Sequence, residues 1–317
     1  MTEEYNALIH NRTWSLVLSP PSHNLIGCKW IFKTKLHLDG SIERYKARLV
    51  AQGFKQLSSI DYDQTFSPVT KPTIIRLILS PAISDNWPIR QLDIKNAFLN
   101  GHLAETVYLK QPPGFIHPNF PNHVCRLHKS LYGLKQAPRS WFETFSSFFL
   151  RGFVQSKVDS SLFNFRSGTS LVYLLVYVDD IIIIGSSSDL IAPIVSRLNT
   201  IFPLTDLGPL TYFLGTQVHR SSGSLFLSQN KYTRDLLHKY GFSQCSAVSM
   251  TISPWTDSSP SAGEHLTNPS EFRQLIDALQ YLCITRPDIT FAVNQAFQFI
   301  HAPTSVHMTT AKRILPS

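Results

Sequence analysis

The sequence predicts an α+β fold, and three features of its 317 residues carry that expectation. "KWIFKTKLHLDGSIERYKARLV" alternates apolar and polar residues on both sides of Asp39-Gly40, a strong hairpin signal. "LVYLLVYVDDIIIIG" reads as two apolar strands hinged at a pair of acids, Asp179 and Asp180. Amphipathic stretches that open at proline or stop at glycine supply the helices.

Taken in order, the first fifty residues read as strands and turns. After "SPVTKP", Pro72 suits the first turn of a helix whose apolar positions Ile74, Ile75, Leu77, Ile78 and Ile83 share a buried face, running to about Asn86. "WPIRQLDIKNAFLNG" is a short strand ending at Asp93, followed by a helical turn stopped by Gly101. "VYLKQP" is a further strand before a proline-rich loop. A strand, a glycine turn and an amphipathic helix from near Pro138 to Gly152 follow. "SLFNF" and the hinged pair add three strands. A helix over about 189–201, two strands in "TYFLGTQVHRSSGSLFLS" and a helix over about 229–240 come next. Residues 249–270, rich in Ser, Pro and Thr, read as a linker. Two helical stretches remain beyond it.

The composition, 43% hydrophobic and 16% charged, is that of a folded chain and excludes a disordered tail. The formal net charge of +8 points to a polyanionic partner, with a basic but indifferent surface as the second reading. Between Lys29 and Lys55 seven cations (Lys29, Lys33, Lys35, Arg44, Lys46, Arg48, Lys55) face only Asp39 and Glu43, so the hairpin itself is basic. The four cysteines, 28, 125, 245 and 283, form no CxxC pair, which argues against a zinc site or a disulfide scaffold and fits a reducing compartment. The N-terminus lacks the features of a secretory signal, so the chain is expected not to be secreted. The longest apolar run, Leu171 to Ile184, is too short for a bilayer and carries two acids, each opposing insertion by roughly 2.5–3.5 kcal/mol. No membrane association is expected.

Two ionised carboxylates in adjacent positions repel, and one is pushed toward its neutral form unless a cation neutralises them. Asp is also a common turn residue, so a plain turn remains a second reading of the pair. Asp93 ends another apolar strand, and its side chain would join the pair if the two strands are neighbours. Three such acids can hold two metal ions about 3.5–4 Å apart, the arrangement that activates a hydroxyl nucleophile in phosphoryl transfer. Mg²⁺, which favours carboxylate and phosphate oxygens, is the expected ion, with Mn²⁺ a possible substitute.

At this point the chain resembles a family. "YVDD" (177–180) and "LDIKNAF" (92–98) resemble the catalytic motifs of reverse transcriptases, and their setting resembles the copia-type LTR retrotransposons. "WIFKTKLHLDGSIERYKARLVAQGF", "DYDQTFSPV", "KNAFLNG", "VYLKQPPGF", "SLYGLKQAPRSW", "DLGPLTYFLG" and "TRPDITFAV" match in the family's order over nearly the whole chain. The resemblance implies RNA-directed DNA polymerisation, a primer 3′-hydroxyl attacking the α-phosphate of a dNTP on an RNA or DNA template. It implies a right-hand polymerase fold: a basic fingers region over 1–86, a palm over 87–219 with an antiparallel sheet backed by helices, a thumb-proximal hairpin and helix over 220–248, the linker, and a truncated connection over 271–317.

The resemblance also implies site roles. Asp93 and Asp179 bridge the metals with Asp180 as third acid, and the backbone of Ile94 lies beside the triphosphate. Phe98 is a steric gate against the ribose 2′-hydroxyl, with core packing as its second reading. Tyr132, Gly133 and Lys135 lie over the nascent base pair, Tyr132 having a plain stacking role as the other reading. Lys46 and Arg48 contact the triphosphate or else form a solvated hairpin face. Tyr212, Phe213, Leu214 and Gly215 grip the primer. RNase H, integrase and protease domains are the expected companions in the full polyprotein, in cytoplasmic virus-like particles with possible access to the nucleus.

Two residues depart from the family's pattern: Pro81 stands inside the expected helix, where an apolar residue is usual, unless the helix ends near Ser80 and leaves Pro81 in a turn, and Asp277 in "LIDALQYL" replaces a small one. They leave open a second function, an inactive remnant that binds nucleic acid without polymerising. A two-metal nuclease is a third, which suits the acids but not the primer-grip resemblance.

Overall fold

The computed structural model describes residues 1–21, 23–36, 41–150, 152–221, 224–246 and 263–316. The turn expected at Asp39-Gly40 and most of the expected linker, 249–262, lie outside the described residues. The chain divides into two compact units, Met1–Pro209 and Leu210–Ser317. The five-part subdivision expected from the sequence is finer than this.

The first unit runs α1 (Thr2–His10), β1 (Trp14–Leu18), β2 (Leu25–Ile26), β3 (Cys28–Leu36), β4 (Ile42–Ala51), α2 (Pro72–Ser84), β5 (Ile89–Ile94), β6 (Tyr108–Leu109), β7 (His123–Leu127), α3 (Ala137–Phe149), β8 (Val154–Gln155), β9 (Leu162–Ser167), β10 (Ser170–Tyr177), β11 (Asp180–Gly185), α4 (Ser188–Ile201) and β12 (Leu204–Pro209). Its largest sheet has six strands in the order β12-β5-β11-β10-β9-β8, all pairings antiparallel. β11 is central, and Ile181 to Ile184 are fully buried on both faces, which is why the sequence there is a continuous apolar run. Each such side chain stabilises the fold by about 1.5–3 kcal/mol. α3 and α4 back one face, packing Trp141, Phe145, Phe149, Ile191 and Leu198 against Leu92, Ile94, Leu174 and Ile183. α2 packs against β11 as well.

A second sheet, in the order β1-β7-β6-β2, and the base of the β3–β4 hairpin share another core with Leu8 of α1. The chain therefore opens with a helix, not with the strands and turns expected. Its sequence, "TEEYNALIH", carries acids in the first turn and strong helix formers after them, and Leu8 is fully buried. The strand expected in "VYLKQP" shrinks to two paired residues.

The second unit holds β13 (Tyr212–Phe213), β14 (Thr216–Ser221) and β15 (Ser224–Ser228) in one antiparallel sheet, then α5 (Asn230–Lys239), α6 (Pro269–Leu282), α7 (Thr290–Phe297) and α8 (Ser305–Lys312). Three strands replace the two expected, because left-handed Leu214 and Gly215 fold Tyr212–Phe213 back on β14. The helices bury Leu236, Phe272, Leu275, Leu279, Val293 and Met308 in their own core. Asp277 is exposed on α6. No helix among the described residues is long and apolar enough to cross a membrane.

Candidate active site

The antiparallel register of β5 and β11 sets Asp93 directly opposite Asp180. Opposite residues in such a pair share a face of the sheet. Asp179 lies in the two-residue turn between Tyr177 and Asp180, which pair with each other. The turn is held from two sides: the Trp141 indole donates to the Val178 carbonyl (2.7 Å), and the Ile94 N–H donates to the Asp179 carbonyl (2.9 Å). Val178 has φ of 55°, a conformation that costs a β-branched residue of order 1–3 kcal/mol unless its surroundings enforce it.

Asp93, Ile94 and Asp179 line an open cleft of about 580 Å³, with Lys46 and Arg48 of β4 and Lys95 also in its wall. The hairpin register places Arg48 opposite the apolar Ile31 but Lys33 opposite Lys46, so like charges face each other across the strands there. Such pairs oppose strand pairing, and a bound polyanion would offset the repulsion. Burial, then the neighbouring charge of Asp179, holds the Asp93 carboxyl above the ordinary range, against the pull of Lys46, Lys95 and Arg48. Burial and Asp179 raise Asp180 likewise, and Gln91 opposes the shift by donating to its Oδ1 at 3.4 Å. Among the described residues no group of three or more His, Cys, Asp or Glu side chains is gathered to hold a metal ion. Asp93 and Asp179 share the cleft, while Asp180, fixed on a rigid strand, faces Gln91.

Tyr132 stands beside this cleft. The Arg48 guanidinium lies 4.5 Å from its ring centroid, and the Phe98 ring meets it edge-on at 5.1 Å. Burial pushes the Tyr132 phenol up to about 12, although Arg48 favours its ionisation. Gly133 has φ of +89°, and a Cβ there would meet the Ala51 carbonyl at 2.3 Å. The loop thus presses onto β4, where the Ala51 N–H donates to the Tyr132 carbonyl at 2.7 Å. Phe98 is half-buried, packed against both cores of this unit. Lys135 points elsewhere: its ammonium donates to the Tyr62 hydroxyl at 3.0 Å and lies over that ring. Tyr212, Phe213, Leu214 and Gly215 belong to the second unit. There Tyr281 donates to the Leu214 carbonyl, and a Cβ on Gly215 would collide with the Tyr281 hydroxyl.

A family model described as reverse transcriptase (RNA-dependent DNA polymerase) matches residues 11–254. The chain belongs to the reverse transcriptase family. The retrovirus-related Pol polyproteins from transposons RE1 and RE2 of Arabidopsis thaliana are 49% and 45% identical to it over 99% of this chain and 22% of their own length. That from transposon TNT 1-94 of Nicotiana tabacum is 39% identical over 99% of this chain and 24% of its own. These relatives are copia-type retrotransposon Pol polyproteins, and this reverse transcriptase chain spans less than a quarter of their length.

Some residues of this candidate site were missed in the sequence. Lys95 and Asn96, directly after Asp93, line the cleft, and their adjacency to that acid was signal enough. Trp141, which fixes the acid turn, ends the quoted motif "SLYGLKQAPRSW", but its role went unread because it acts through a long-range contact, and Glu4, on the cleft wall, gave no local signal.

Proposed function

We propose that this reverse transcriptase domain extends a DNA primer with dNTPs on an RNA or DNA template, as the polymerising part of a larger Pol polyprotein. The observation that carries this reading is the pairing of Asp93 with Asp180, with Asp179 in the adjoining turn, at a cleft whose other wall carries Lys46 and Arg48. In this reading Asp93 and Asp179 hold Mg²⁺ and Asp180 is the third acid. The donor set fits, since Mg²⁺ takes one or two carboxylates and completes its shell with substrate phosphates and water. Burial first, and then the charge of Asp179, raises the Asp93 and Asp180 carboxyls, and a cation would relieve both the desolvation and the repulsion. Bound there, the metal supplies activation of the primer 3′-hydroxyl and charge neutralisation at the phosphates.

The chain's own residues do the remaining work. Lys46 and Arg48 draw in and orient the triphosphate through charge-assisted hydrogen bonds, beside the backbone of Ile94. Tyr132 and Gly133 support the nascent base pair. Phe98, braced by Tyr132, excludes a 2′-hydroxyl. Tyr212 to Gly215 grip the primer. The six-stranded sheet serves as palm and the basic hairpin as fingers.

Primer extension by the purified chain, with and without Mg²⁺, tests the reading. Mg²⁺-dependent incorporation of dNTPs supports it. Binding of primer–template without any extension leaves the inactive remnant, and degradation of primer–template without dNTPs favours the nuclease.

A further inference from the structure

An acid faces the basic wall of the cleft and has no part in the reaction as read above. Glu4, in the first turn of α1, lines the same cleft as Lys46, Arg48, Asp93 and Asp179. It sits in the field of Arg48, then Lys46 and the Met1 amino group, and the backbone N–H of Leu49 also favours its ionised form. Burial outweighs all four, so its carboxyl is raised above the ordinary range.

Glu4 Oε1 is closed off from solvent without a hydrogen-bond partner, and so is Arg48 Nε. The Tyr132 ring, 4.5 Å from the Arg48 guanidinium, fixes the plane of that group. A guanidinium nitrogen withheld from both solvent and acceptor is suited to an anion with paired oxygens, and phosphate is such an anion. A fixed carboxylate beside it contends for the same cations as any phosphate that enters.

We propose that Glu4 is an affinity-setting residue of the nucleotide site, a built-in anion that opposes the triphosphate for Arg48 and Lys46. The dNTP is then held less tightly, and pyrophosphate leaves more readily, than the two cations alone would allow. The inference rests on the polymerase reading for the identity of the phosphate ligand. The contest between carboxylate and phosphate is a property of the cleft alone.

Calorimetric titration of inorganic tripolyphosphate into the metal-free chain tests it. Glu4→Gln keeps the shape of the side chain and removes its charge, and it should tighten binding about fivefold, as expected for a like charge at short range in a partly buried site. Glu3→Gln, one position earlier and also on the cleft's lining but exposed, should change binding less than about twofold, because solvent screens it. In an Arg48→Met background the gain from Glu4→Gln should largely vanish, the mark of direct coupling. In primer extension Glu4→Gln should lower the dNTP KM and the pyrophosphate inhibition constant together. Equal tripolyphosphate affinity of wild type and Glu4→Gln, no binding to either, or a gain undiminished by Arg48→Met would each overturn the proposal. Calorimetry needs no catalysis, so a wild-type chain that failed to extend primers would sink the polymerase reading and leave this test intact.

Discussion

Asp180 shows what the site demands of a single residue. Its carboxyl is raised first by burial and then by Asp179, so folding favours its neutral form. A carboxyl raised in this way leaves stability undiminished below the pKa of the unfolded chain, and stability is lost as pH rises through the folded value. Asp180→Asn keeps an oxygen for Gln91 and removes the charge, so the metal-free variant should melt above wild type at pH 7. The difference should vanish toward pH 3, and a gap that persisted there would show that charge is not its cause. Gly133→Ala combines a left-handed φ with a collision at the Ala51 carbonyl. It should destabilise the chain by about 1–3 kcal/mol or more, read from chemical denaturation, and unchanged stability would mean the loop does not clamp β4. Phe98→Ala removes the ring braced by Tyr132. If that ring occupies the place of a 2′-hydroxyl, ribonucleotide use should rise on the order of tenfold, a difference of about 1.4 kcal/mol, with dNTP use retained. An unchanged rNTP:dNTP preference would return Phe98 to the core.

Among the elements, α2 bears most on whether the chain works. The helix continues through Pro81 to Ser84, and the Asp85 N–H donates to the Pro81 carbonyl at 3.0 Å, so it does not stop at Ser80. Proline there removes the hydrogen bond to the Leu77 carbonyl and crowds it, at about 3 kcal/mol or more. The helix packs on β11 and leads directly into β5, the two strands that carry Asp180 and Asp93. Pro81→Leu should therefore raise the unfolding midpoint and increase primer extension. An unchanged or lowered midpoint would show that the helix accommodates proline without penalty.

The same scale separates what the sequence made legible from what it did not. β11 was legible because Asp180 opens an uninterrupted apolar run, Ile181 to Ile184, and a run that is buried on both faces has few alternatives. β5, with Arg90 and Gln91 inside it, was legible only from Ile89, Leu92 and the turn that follows Asp93. Helices α2, α3, α4 and α5 announced themselves by periodicity and by Pro, Ser or Gly at their ends. α1 was passed over although its propensity was plain, and its contact with β4 is long-range, which no local pattern reports. The backfold at Leu214 was hidden because a non-glycine residue takes a left-handed conformation there, which the sequence does not announce.

On the scale of the whole molecule, in the proposed reading the net charge of +8 and the basic hairpin would set the affinity for nucleic acid, and the buried strands set the position of the acids. Those two contributions are separable, because phosphate contacts supply most of the binding free energy and depend steeply on salt, whereas the acids repel phosphate without a cation. The most direct measurement is therefore primer extension and primer–template affinity side by side for Asp179→Asn. The account predicts that extension with Mg²⁺ falls at least about 100-fold, as for loss of one group that stabilises transition-state charge, while primer–template binding stays within about twofold of wild type because the basic surface is untouched. Extension by Asp179→Asn at the wild-type rate would contradict it.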